Sequence, residues 1–344
     1  MIKNRLYSVI VGATGYVGLD LVNILSKHPN IKIKHLCSQK NLGKRINSFD
    51  NRIKKKLPKL SNINKVDWKN IDIVFLSLPN GEAQKLINKL YFKYKNLKFI
   101  DLSADFRITN LNLYKKYYGK KHFANKLIKK SLYSITELSL TKLKKFRIIA
   151  NPGCYPTSIQ IPLIPLLKKK MIEPYNIIID SKSGYSGAGK KYKLKFSYKN
   201  FELSTYGYAA NKHRHEAELD QELKKINKNI KFVFNPHLIP TFRGILSSIY
   251  LVKKNNSSID LIINELKKTY KKSSFIKIKK KNSPLGTGDV IHTNNCEISV
   301  CQSKENNKII IFSAVDNLIK GAAGQAVQNM NVMYGLKESK GIKW

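Results

Sequence analysis

LYSVIVGATGYVGLDLVNIL, residues 6–25, combines an apolar run, a glycine-rich turn and an amphipathic segment. The apolar run over residues 6–11 predicts a buried strand, and the segment that follows the turn predicts a helix. A glycine turn between a strand and a helix is the setting in which a diphosphate rests on main-chain N–H groups. The spacing is G-x-x-G-x-x-G, not G-x-G-x-x-G, so a tight turn without a ligand remains the alternative.

The candidate cofactor contacts lie in this turn and after the next predicted strand. The turn supplies Gly12, Ala13, Thr14, Gly15, Tyr16 and Val17. Residues 31–36 predict the second strand, and Cys37-Ser38-Gln39-Lys40 follows it without the acidic residue that an NAD site places near the ribose 2′-hydroxyl. A hydroxyl and a cation suit a 2′-phosphate instead. We therefore predict NADP(H) as the cofactor, with Ser38 and Lys40 as contacts.

Strands and helices alternate over the first 150 residues. Residues 72–79 form a nearly continuous apolar run, as parallel strands buried on both faces require. Residues 81–91 have a helical period, and residues 98–103 predict another strand. This alternation predicts an α/β fold, with a Rossmann-type doubly wound parallel sheet over residues 1–150.

The pattern changes in the second half of the chain. Strands are predicted at 232–234 and 244–251, a helix at 259–270, and a hairpin from residue 296 to residue 313. A strand-rich segment with one helix indicates a second, α+β domain over residues 151–315. Residues 316–344 then contain a closing helix rich in small residues, which allow a close approach to a neighbouring element.

A lone cysteine stands at a sharp break, IIANPGCYPT at residues 148–157. Cys154 follows a Pro-Gly pair, and Pro156 stands where a first helical turn tolerates proline. The positive end of such a helix can lower a thiol pKa from about 8.5 to between roughly 3.5 and 7.5. The turn predicts a nucleophilic cysteine, and a small buried apolar cysteine is the alternative.

Two histidines stand in KHRHEAE, residues 212–218. His213 and His215 share a face only if this segment is extended. If a helix covers the residues from 217 onward, Glu218 falls one turn beyond His215 and can orient its ring. A histidine beside a cysteine is the arrangement expected for thiol activation. The alternatives are a pair of exposed histidines and a metal site built from His213, His215, His237 and Cys154.

Two of the seven arginines are candidate anion ligands. Arg107 follows a predicted strand at its carboxyl end, where doubly wound sheets bind ligands, and Arg243 follows the segment PHLIPTF. Both offer the fork-shaped donors that carboxylates and phosphates accept. For Arg107 a surface ion pair is the alternative. A loop of small residues is predicted over 181–189, where glycines let the backbone approach a ligand.

The composition limits the partners. The formal charge of +42 comes from 57 lysines spread along all 344 residues and only seven arginines, whereas a reader of bases favours arginine. We therefore expect no nucleic-acid partner. No apolar run reaches membrane-spanning length and no targeting segment is predicted, so we expect a cytoplasmic protein without a membrane partner. Four scattered cysteines suit a reducing compartment.

These motifs together resemble the N-acetyl-gamma-glutamyl-phosphate reductases, enzymes of arginine biosynthesis in the semialdehyde dehydrogenase superfamily. The matching segments, in family order, are VGATGYVG (11–18), DLSADFR (101–107), NPGCYPT (151–157), SGYSGAG (183–189), KHRHEAE (212–218), PHLIPTFRGI (236–245) and DNLIKGAAGQAVQNMN (316–331). The resemblance implies an NADP-binding Rossmann domain completed by the C-terminal helix, and an α+β catalytic and oligomerisation domain. Ala217 departs from the family, which often has proline at that position, and many members have an arginine near the position of Gln39.

The resemblance also implies a reaction and a site without a metal. NADPH would reduce N-acetyl-L-glutamyl 5-phosphate to the 5-semialdehyde and phosphate through a thioester on Cys154, with His215 as the acid/base and Glu218 behind it. The implied substrate contacts are Arg107, Ser183, Gly184, His213 and Arg243, and Ser186, Gly187 and Asn317 join the cofactor contacts.

The implied partners are a small-molecule acyl phosphate and further copies of the chain, as a dimer or tetramer. A related reductase of aspartyl phosphate or of carrier-bound aminoadipyl phosphate is the nearest alternative. A non-catalytic NADP-binding regulator would lack the cysteine–histidine pair, and both residues are present here.

Overall fold

The computed structural model describes residues 5–190 and 201–342. The described strands are β1 (Leu6–Val11), β2 (Ile31–Cys37), β3 (Leu60–Ser61), β4 (Ile73–Leu76), β5 (Lys98–Asp101), β6 (Ser131–Tyr133), β7 (Ile148–Ala150), β8 (Ile177–Gly184), β9 (Tyr206–Gly207), β10 (Phe232–Ile239), β11 (Ile245–Val252), β12 (Ile276–Ile278), β13 (Cys296–Gln302) and β14 (Lys308–Val315). The described α-helices are α1 (Tyr16–Lys27), α2 (Glu82–Tyr91), α3 (Leu111–Tyr118), α4 (Asn125–Ile128), α5 (Thr136–Ser139), α6 (Cys154–Lys168), α7 (Arg214–Lys224), α8 (Ile259–Tyr270) and α9 (Gly324–Met333).

The chain divides into two compact units. The first contains the described residues up to Pro152 together with those from Ala322 onward, and the second is Gly153–Gly321. None of the described helices is both long enough and apolar enough to cross a lipid bilayer.

The first unit is built on a parallel sheet of seven strands in the order β3-β2-β1-β4-β5-β7-β6. The predicted Rossmann-type sheet is therefore confirmed. β4 is buried along its whole length, as the apolar run predicts, and its Val74 and Leu76 join one apolar core with Val9 of β1 and Phe99 of β5. β1 lies in the middle of the sheet, so the turn that follows it lies at the carboxyl ends of the central strands.

The glycine turn after β1 is held by the close approach of three chain segments. Gly12 has a φ of +84°, and a Cβ there would lie 2.0 Å from the main-chain oxygen of Ser77. A Cβ at Gly18 would lie 2.2 Å from the oxygen of Gly12. The fold itself therefore requires glycine at both positions. At Gly15 a Cβ would meet only the Gly12 oxygen, at 3.6 Å, so packing does not account for this third glycine.

The second unit is built on a mixed sheet in the order β12-β13-β14-β11-β8-β10-β9. Helices α6 and α8 pack on one face of it, which confirms the predicted α+β architecture. Two predicted boundaries were wrong. β8 continues through residues 181–184, which we had assigned to a loop, and β10 continues through His237 to Ile239. The small polar residues of β8 can be buried because their hydroxyls form hydrogen bonds with other buried hydroxyls. The Oγ atoms of Ser181 and Ser247, for example, lie 2.8 Å apart.

Helix α6 begins at Cys154 and contains Pro156 in its first turn, as predicted, and two further prolines, Pro162 and Pro165, in its interior. Pro165 has no N–H to donate to the carbonyl oxygen of Ile161, four residues before it. The Tyr270 hydroxyl of α8 donates to that oxygen instead, at 2.5 Å. A neighbouring helix thus supplies a hydrogen bond that α6 cannot make by itself.

Candidate active site

Cys154 is the first residue of α6 and is half-buried. The residue before it, Gly153, has an extended backbone (φ −67°, ψ 156°) and provides no side chain to cap the helix. The carbonyl oxygen of Gly153 accepts from the Thr157 main-chain N–H at 3.0 Å. The predicted helix start at Cys154 is therefore confirmed, which puts this residue at the positive end of a helix.

Glu218 joins the cysteine turn to the histidine segment. Its carboxylate is completely buried, and Oε2 accepts the main-chain N–H of Gly153 at 2.8 Å. Oε1 lies 3.9 Å from Nε2 of His215, one helical turn away. One carboxylate therefore contacts the turn that presents Cys154 and faces the imidazole that we predict to act on it.

The His215 imidazole lies directly against Gly153. A Cβ at Gly153 would be 2.4 Å from Nε2 and 2.6 Å from Cδ2 of the ring, closer than real Cβ atoms approach. The Tyr155 ring packs edge-on to the same imidazole, with centroids 5.9 Å apart. The residues on both sides of Cys154 therefore contact His215.

A second glycine leaves room for the cysteine itself. A Cβ at Gly321 would lie 2.6 Å from Cβ of Cys154 and 3.1 Å from its Cα. Any side chain at this position would displace the nucleophile. The sequence pattern gave no sign of this requirement, because the two residues are far apart in the chain.

His213 begins helix α7 as its capping residue, and its Nδ1 accepts the main-chain N–H of His215 at 3.1 Å. The helix starts earlier than residue 217, so the two histidines stand at its beginning, with ring centroids 4.8 Å apart. Burial, with a contribution from Arg214, lowers the pKa of His213 to about 4. A neutral ring at pH 7 does not suit His213 to proton transfer, which leaves His215 as the candidate acid/base.

The predicted substrate contacts of the second unit lie around the end of β8. The Ser183 hydroxyl donates to the Gly184 oxygen at 3.0 Å, and a Cβ at Gly184 would meet the main chain of residues 242–243 at 2.7–2.8 Å. Arg243 is almost buried, and its Nη1 lies 3.3 Å from Oδ2 of Asp316. These residues are therefore neighbours, and Arg243 is held by a buried carboxylate.

Arg107, in the first unit, has a role that the sequence did not indicate. It is nearly buried instead of forming a surface ion pair, and its Nε donates to the main-chain oxygen of Asn151 at 2.7 Å. Its Nη2 donates to the oxygen of Leu102 at 3.1 Å. The guanidinium thus braces the segment that leads into residues 152–154.

Two acidic residues of DLSADFR also brace the first unit. Asp105 accepts the main-chain N–H groups of Gly81 and Gln84, at 2.7 and 3.0 Å, and so caps helix α2. Asp101 accepts the N–H of Phe106 at 3.1 Å, and burial together with the Asp105 charge raises its pKa. The geometry gives this motif a structural function.

The predicted cofactor contacts form a group in each unit. In the first, Thr14 Oγ1 lies 3.5 Å from Ser38 Oγ, and Lys40 is exposed. In the second, Asn317 Nδ2 donates to Ser186 Oγ at 2.9 Å, and a Cβ at Gly187 would lie 3.4 Å from that nitrogen. Asn317 Oδ1 accepts the Gly244 N–H at 2.9 Å.

The metal alternative receives no support in the described residues. Within 5–190 and 201–342, no group of three or more His, Cys, Asp or Glu side chains is arranged to hold a metal ion. In His213, Nδ1 is engaged by the His215 N–H and Nε2 lies 3.2 Å from the Tyr208 hydroxyl.

Comparison with known proteins matches both halves of the chain. Residues 8–146 match the family model "Semialdehyde dehydrogenase, NAD binding domain", and residues 154–317 match "Semialdehyde dehydrogenase, dimerisation domain". The chain is 41% identical over 345 residues to the N-acetyl-gamma-glutamyl-phosphate reductase of Brachyspira hyodysenteriae, with 97% of each chain covered.

A plant protein and a solved structure extend the comparison. The chain is 38% identical to the probable chloroplastic N-acetyl-gamma-glutamyl-phosphate reductase of Arabidopsis thaliana, over 97% of this chain and 83% of that protein. The crystal structure of aspartate semialdehyde dehydrogenase II from Vibrio cholerae has the same fold, with a TM-score of 0.71 at 18% identity over 96% of this chain and 98% of that one.

Proposed function

The chain belongs to the semialdehyde dehydrogenase family and, within it, to the N-acetyl-gamma-glutamyl-phosphate reductases. We therefore propose that it reduces N-acetyl-L-glutamyl 5-phosphate, a step of L-arginine biosynthesis. The reaction converts N-acetyl-L-glutamyl 5-phosphate and NADPH to N-acetyl-L-glutamate 5-semialdehyde, phosphate and NADP⁺. The observation that carries the proposal is the contact of Glu218 with Gly153 and His215 beside Cys154.

The cofactor is NADP(H), and the glycine turn fits its diphosphate. At Gly15 the turn leaves open the space that a Cβ would fill, and this residue caps α1 without a side chain. Helix N–H groups and an unobstructed glycine are what a diphosphate requires. We propose that residues 12–17 hold the diphosphate, that Ser38 and Lys40 contact the 2′-phosphate, and that Ser186, Gly187 and Asn317 contact the nicotinamide side.

The chemistry begins on the sulfur of Cys154. The thiolate attacks the acyl carbon of the substrate, a carbon–sulfur bond forms, and the carbon–oxygen bond to phosphate breaks, which leaves a thioester. The main-chain N–H of Cys154, at its helix start, stabilises the oxyanion of the tetrahedral intermediate. When bound, NADPH supplies the hydride that reduces the thioester to a thiohemiacetal.

His215 holds the proton that these steps require. Hydride addition to the thioester gives the oxyanion of the thiohemiacetal. As this oxyanion collapses, the carbonyl bond re-forms, the carbon–sulfur bond breaks, and the imidazolium of His215 stabilises the departing thiolate or protonates it. Glu218 keeps the ring in place, with Oε1 at 3.9 Å from Nε2. Since Glu218 also holds Gly153, the cysteine turn and the imidazole are positioned by the same carboxylate.

The substrate carboxylate needs a cation in the second unit. We propose that Arg243 supplies it, because the Gly184 N–H donates to the Gly244 oxygen at 2.8 Å and so holds the Arg243 segment against Ser183 and Gly184. Arg107, in the first unit, remains a candidate contact for the substrate carboxylate or phosphate, and its Nε donates to the main-chain oxygen of Asn151. His213 remains a candidate for the wall of the pocket.

The assay of choice is phosphate-dependent reduction of NADP⁺ with N-acetyl-L-glutamate 5-semialdehyde, the reverse reaction. We expect kcat/KM for this aldehyde to exceed that for aspartate semialdehyde by at least about 100-fold, as expected when a site's polar groups pair with one substrate only. A higher kcat/KM for aspartate semialdehyde would contradict the proposal, and activity without phosphate would contradict the acyl-phosphate chemistry.

We propose further that the protein is a homo-oligomer, a dimer or tetramer, assembled through the open face of the second sheet. An apolar row crosses this face in register, from β10 to β13: Val233, Ile178, Tyr250, Ile310 and Cys301. Val233, Ile178 and Tyr250 are 56, 48 and 40% exposed. A contiguous exposed apolar patch marks an interface, and the family model over this unit is described as a dimerisation domain.

Ile178→Lys is expected to lower the oligomeric mass, because it places a charge in the middle of the apolar row. Light scattering after size-exclusion chromatography measures the mass. Leu261→Lys is the matched control, since Leu261 is 51% exposed but lies on helix α8. A wild-type monomer, or an Ile178→Lys variant with the wild-type mass, would contradict the proposed interface.

We propose the cytoplasm as the compartment for this chain. All four cysteines are thiols that form no disulfide in the structure, as a reducing environment maintains them, and the proposed mechanism needs Cys154 as a thiol. The relative from Arabidopsis thaliana is a chloroplastic protein by name.

A further inference from the structure

His213 is an unusual residue to begin a helix. Helices are mostly capped by Ser, Thr, Asp or Asn, whose short side chains place an oxygen next to the first N–H groups. Here Nδ1 of an imidazole accepts the His215 N–H at 3.1 Å. An asparagine would serve this function equally well, so capping alone does not account for the ring.

The other nitrogen of the ring shows what the imidazole adds. Nε2 lies 3.2 Å from the Tyr208 hydroxyl. Because Nδ1 accepts and the ring is neutral, Nε2 carries the proton and donates it to the Tyr208 oxygen. Tyr208 is hydrogen-bonded in turn to the hydroxyl of Tyr155. That hydroxyl donates to the main-chain oxygen of His237 at 2.9 Å.

These hydrogen bonds form one chain, from His213 through Tyr208 and Tyr155 to the His237 carbonyl, and Ser183 also hydrogen-bonds to Tyr155. Its two ends are informative. Tyr155 directly follows Cys154 in the first turn of α6, and His213 begins the helix that carries His215. The rings also pack edge to face, with centroids 5.5 Å apart for both Tyr155–His213 and Tyr208–His213.

The backbone between Tyr208 and His213 is arranged to bring them together. Ala209 and Asn211 have φ values of 51° and 57°, in the left-handed region, and the Lys212 N–H donates to the Ala209 oxygen at 3.0 Å. Left-handed backbone is unfavourable for alanine and persists only where surrounding contacts impose it. The turn that brings the Tyr208 and His213 side chains together is therefore strained.

We propose that the hydrogen-bonded chain of His213, Tyr208 and Tyr155 sets the separation between the Cys154 sulfur and the His215 imidazole, with His213 and Tyr208 as positioning residues. This inference rests on the proposed function and deepens it. His213 then contributes to kcat through the position of His215.

Tyr208→Phe tests the inference with little change of shape, because it removes only one hydroxyl, which accepts the His213 proton and hydrogen-bonds to Tyr155. We expect kcat to fall about ten-fold, because the half-buried Nε2–H of His213 is left without its acceptor. KM should stay within about two-fold, since substrate binding is not changed. A rise in KM with an unchanged kcat would overturn the inference and assign Tyr208 and His213 to substrate binding.

A second readout does not depend on turnover or on the choice of acyl phosphate. The rate of Cys154 alkylation by iodoacetamide, followed against pH without nucleotide or substrate, reports thiolate formation. We expect its midpoint to move to higher pH in Tyr208→Phe, because the thiolate loses its aligned imidazolium. Labelling of the other cysteines is subtracted with Cys154→Ser. A profile identical to that of the wild type would overturn the inference even if the reductase assay failed.

His213→Asn provides an independent variant. It retains a capping oxygen for the His215 N–H but cannot reach Tyr208, so we expect the same loss of kcat as in Tyr208→Phe. In the double variant the two losses should not add, because both changes cut one chain. Additive losses would show two separate roles and would contradict the proposal.

Discussion

We expect the Cys154→Ser variant to lose turnover by at least about 10⁴-fold, the scale of removing a catalytic nucleophile, and to bind NADPH as tightly as the wild type. A serine hydroxyl fits the same space, but it is not ionised by a helix start and an imidazole at neutral pH. The glycine turn proposed to hold NADPH lies in the first unit, whereas Cys154 belongs to the second. NADPH fluorescence titration measures binding, and the phosphate-dependent assay measures turnover.

Cys301→Ser is the matched control for this variant. Cys301 is the other half-buried cysteine, and its sulfur lies 3.7 Å from the Ser299 hydroxyl on strand β13. We expect this variant to retain the wild-type kcat. If Cys154→Ser kept the wild-type activity, the thioester route would be excluded and the whole mechanism with it.

Gly153→Ala is expected to lower kcat by at least about 100-fold, the lower end of the contribution of general acid–base catalysis. The added Cβ would lie 2.4 Å from Nε2, 2.6 Å from Cδ2 and 2.8 Å from Cε1 of His215, so the ring must leave its position. The backbone of Gly153 is one that alanine adopts without strain (φ −67°, ψ 156°). The added methyl group should therefore displace the imidazole and leave the backbone fold unchanged.

Gly288→Ala controls for the added methyl group, because a Cβ at Gly288 meets no atom within 4 Å. The midpoint of thermal unfolding and the dissociation constant for NADPH should be similar for both variants, and only Gly153→Ala should have a lower kcat. A Gly153→Ala variant with full activity would show that the His215 imidazole, in the position described, does not carry the proton.

The elements that depend on local sequence were predictable. β1 has the predicted bounds, Leu6–Val11, because the apolar run and the glycine turn after it determine where the strand begins and ends. Helix α6 starts at Cys154, since the Pro-Gly break and Pro156 define a helix start without reference to the rest of the chain. The pairing of Glu218 with His215 also follows from helical spacing.

What could not be predicted depends on contacts between distant segments. The polar residues of β8 have the composition of a loop, and only the hydroxyls of other segments make that strand suitable for burial. The contact of Glu218 with the Gly153 N–H joins residues 65 positions apart. Arg107 was expected to bind an anion because of its residue type and its place at the carboxyl end of a strand, but its Nε donates to a main-chain carbonyl, which no sequence pattern indicates.

The prolines of α6 have a consequence for the chain before it is folded. A short segment with three prolines does not form a helix in water by itself, and this one needs the Tyr270 hydroxyl of another helix to complete its bonding. A newly synthesised or heat-unfolded chain therefore has at Cys154 a thiol of ordinary nucleophilicity. We therefore expect the raised reactivity proposed for this sulfur to appear only after the tertiary structure has formed.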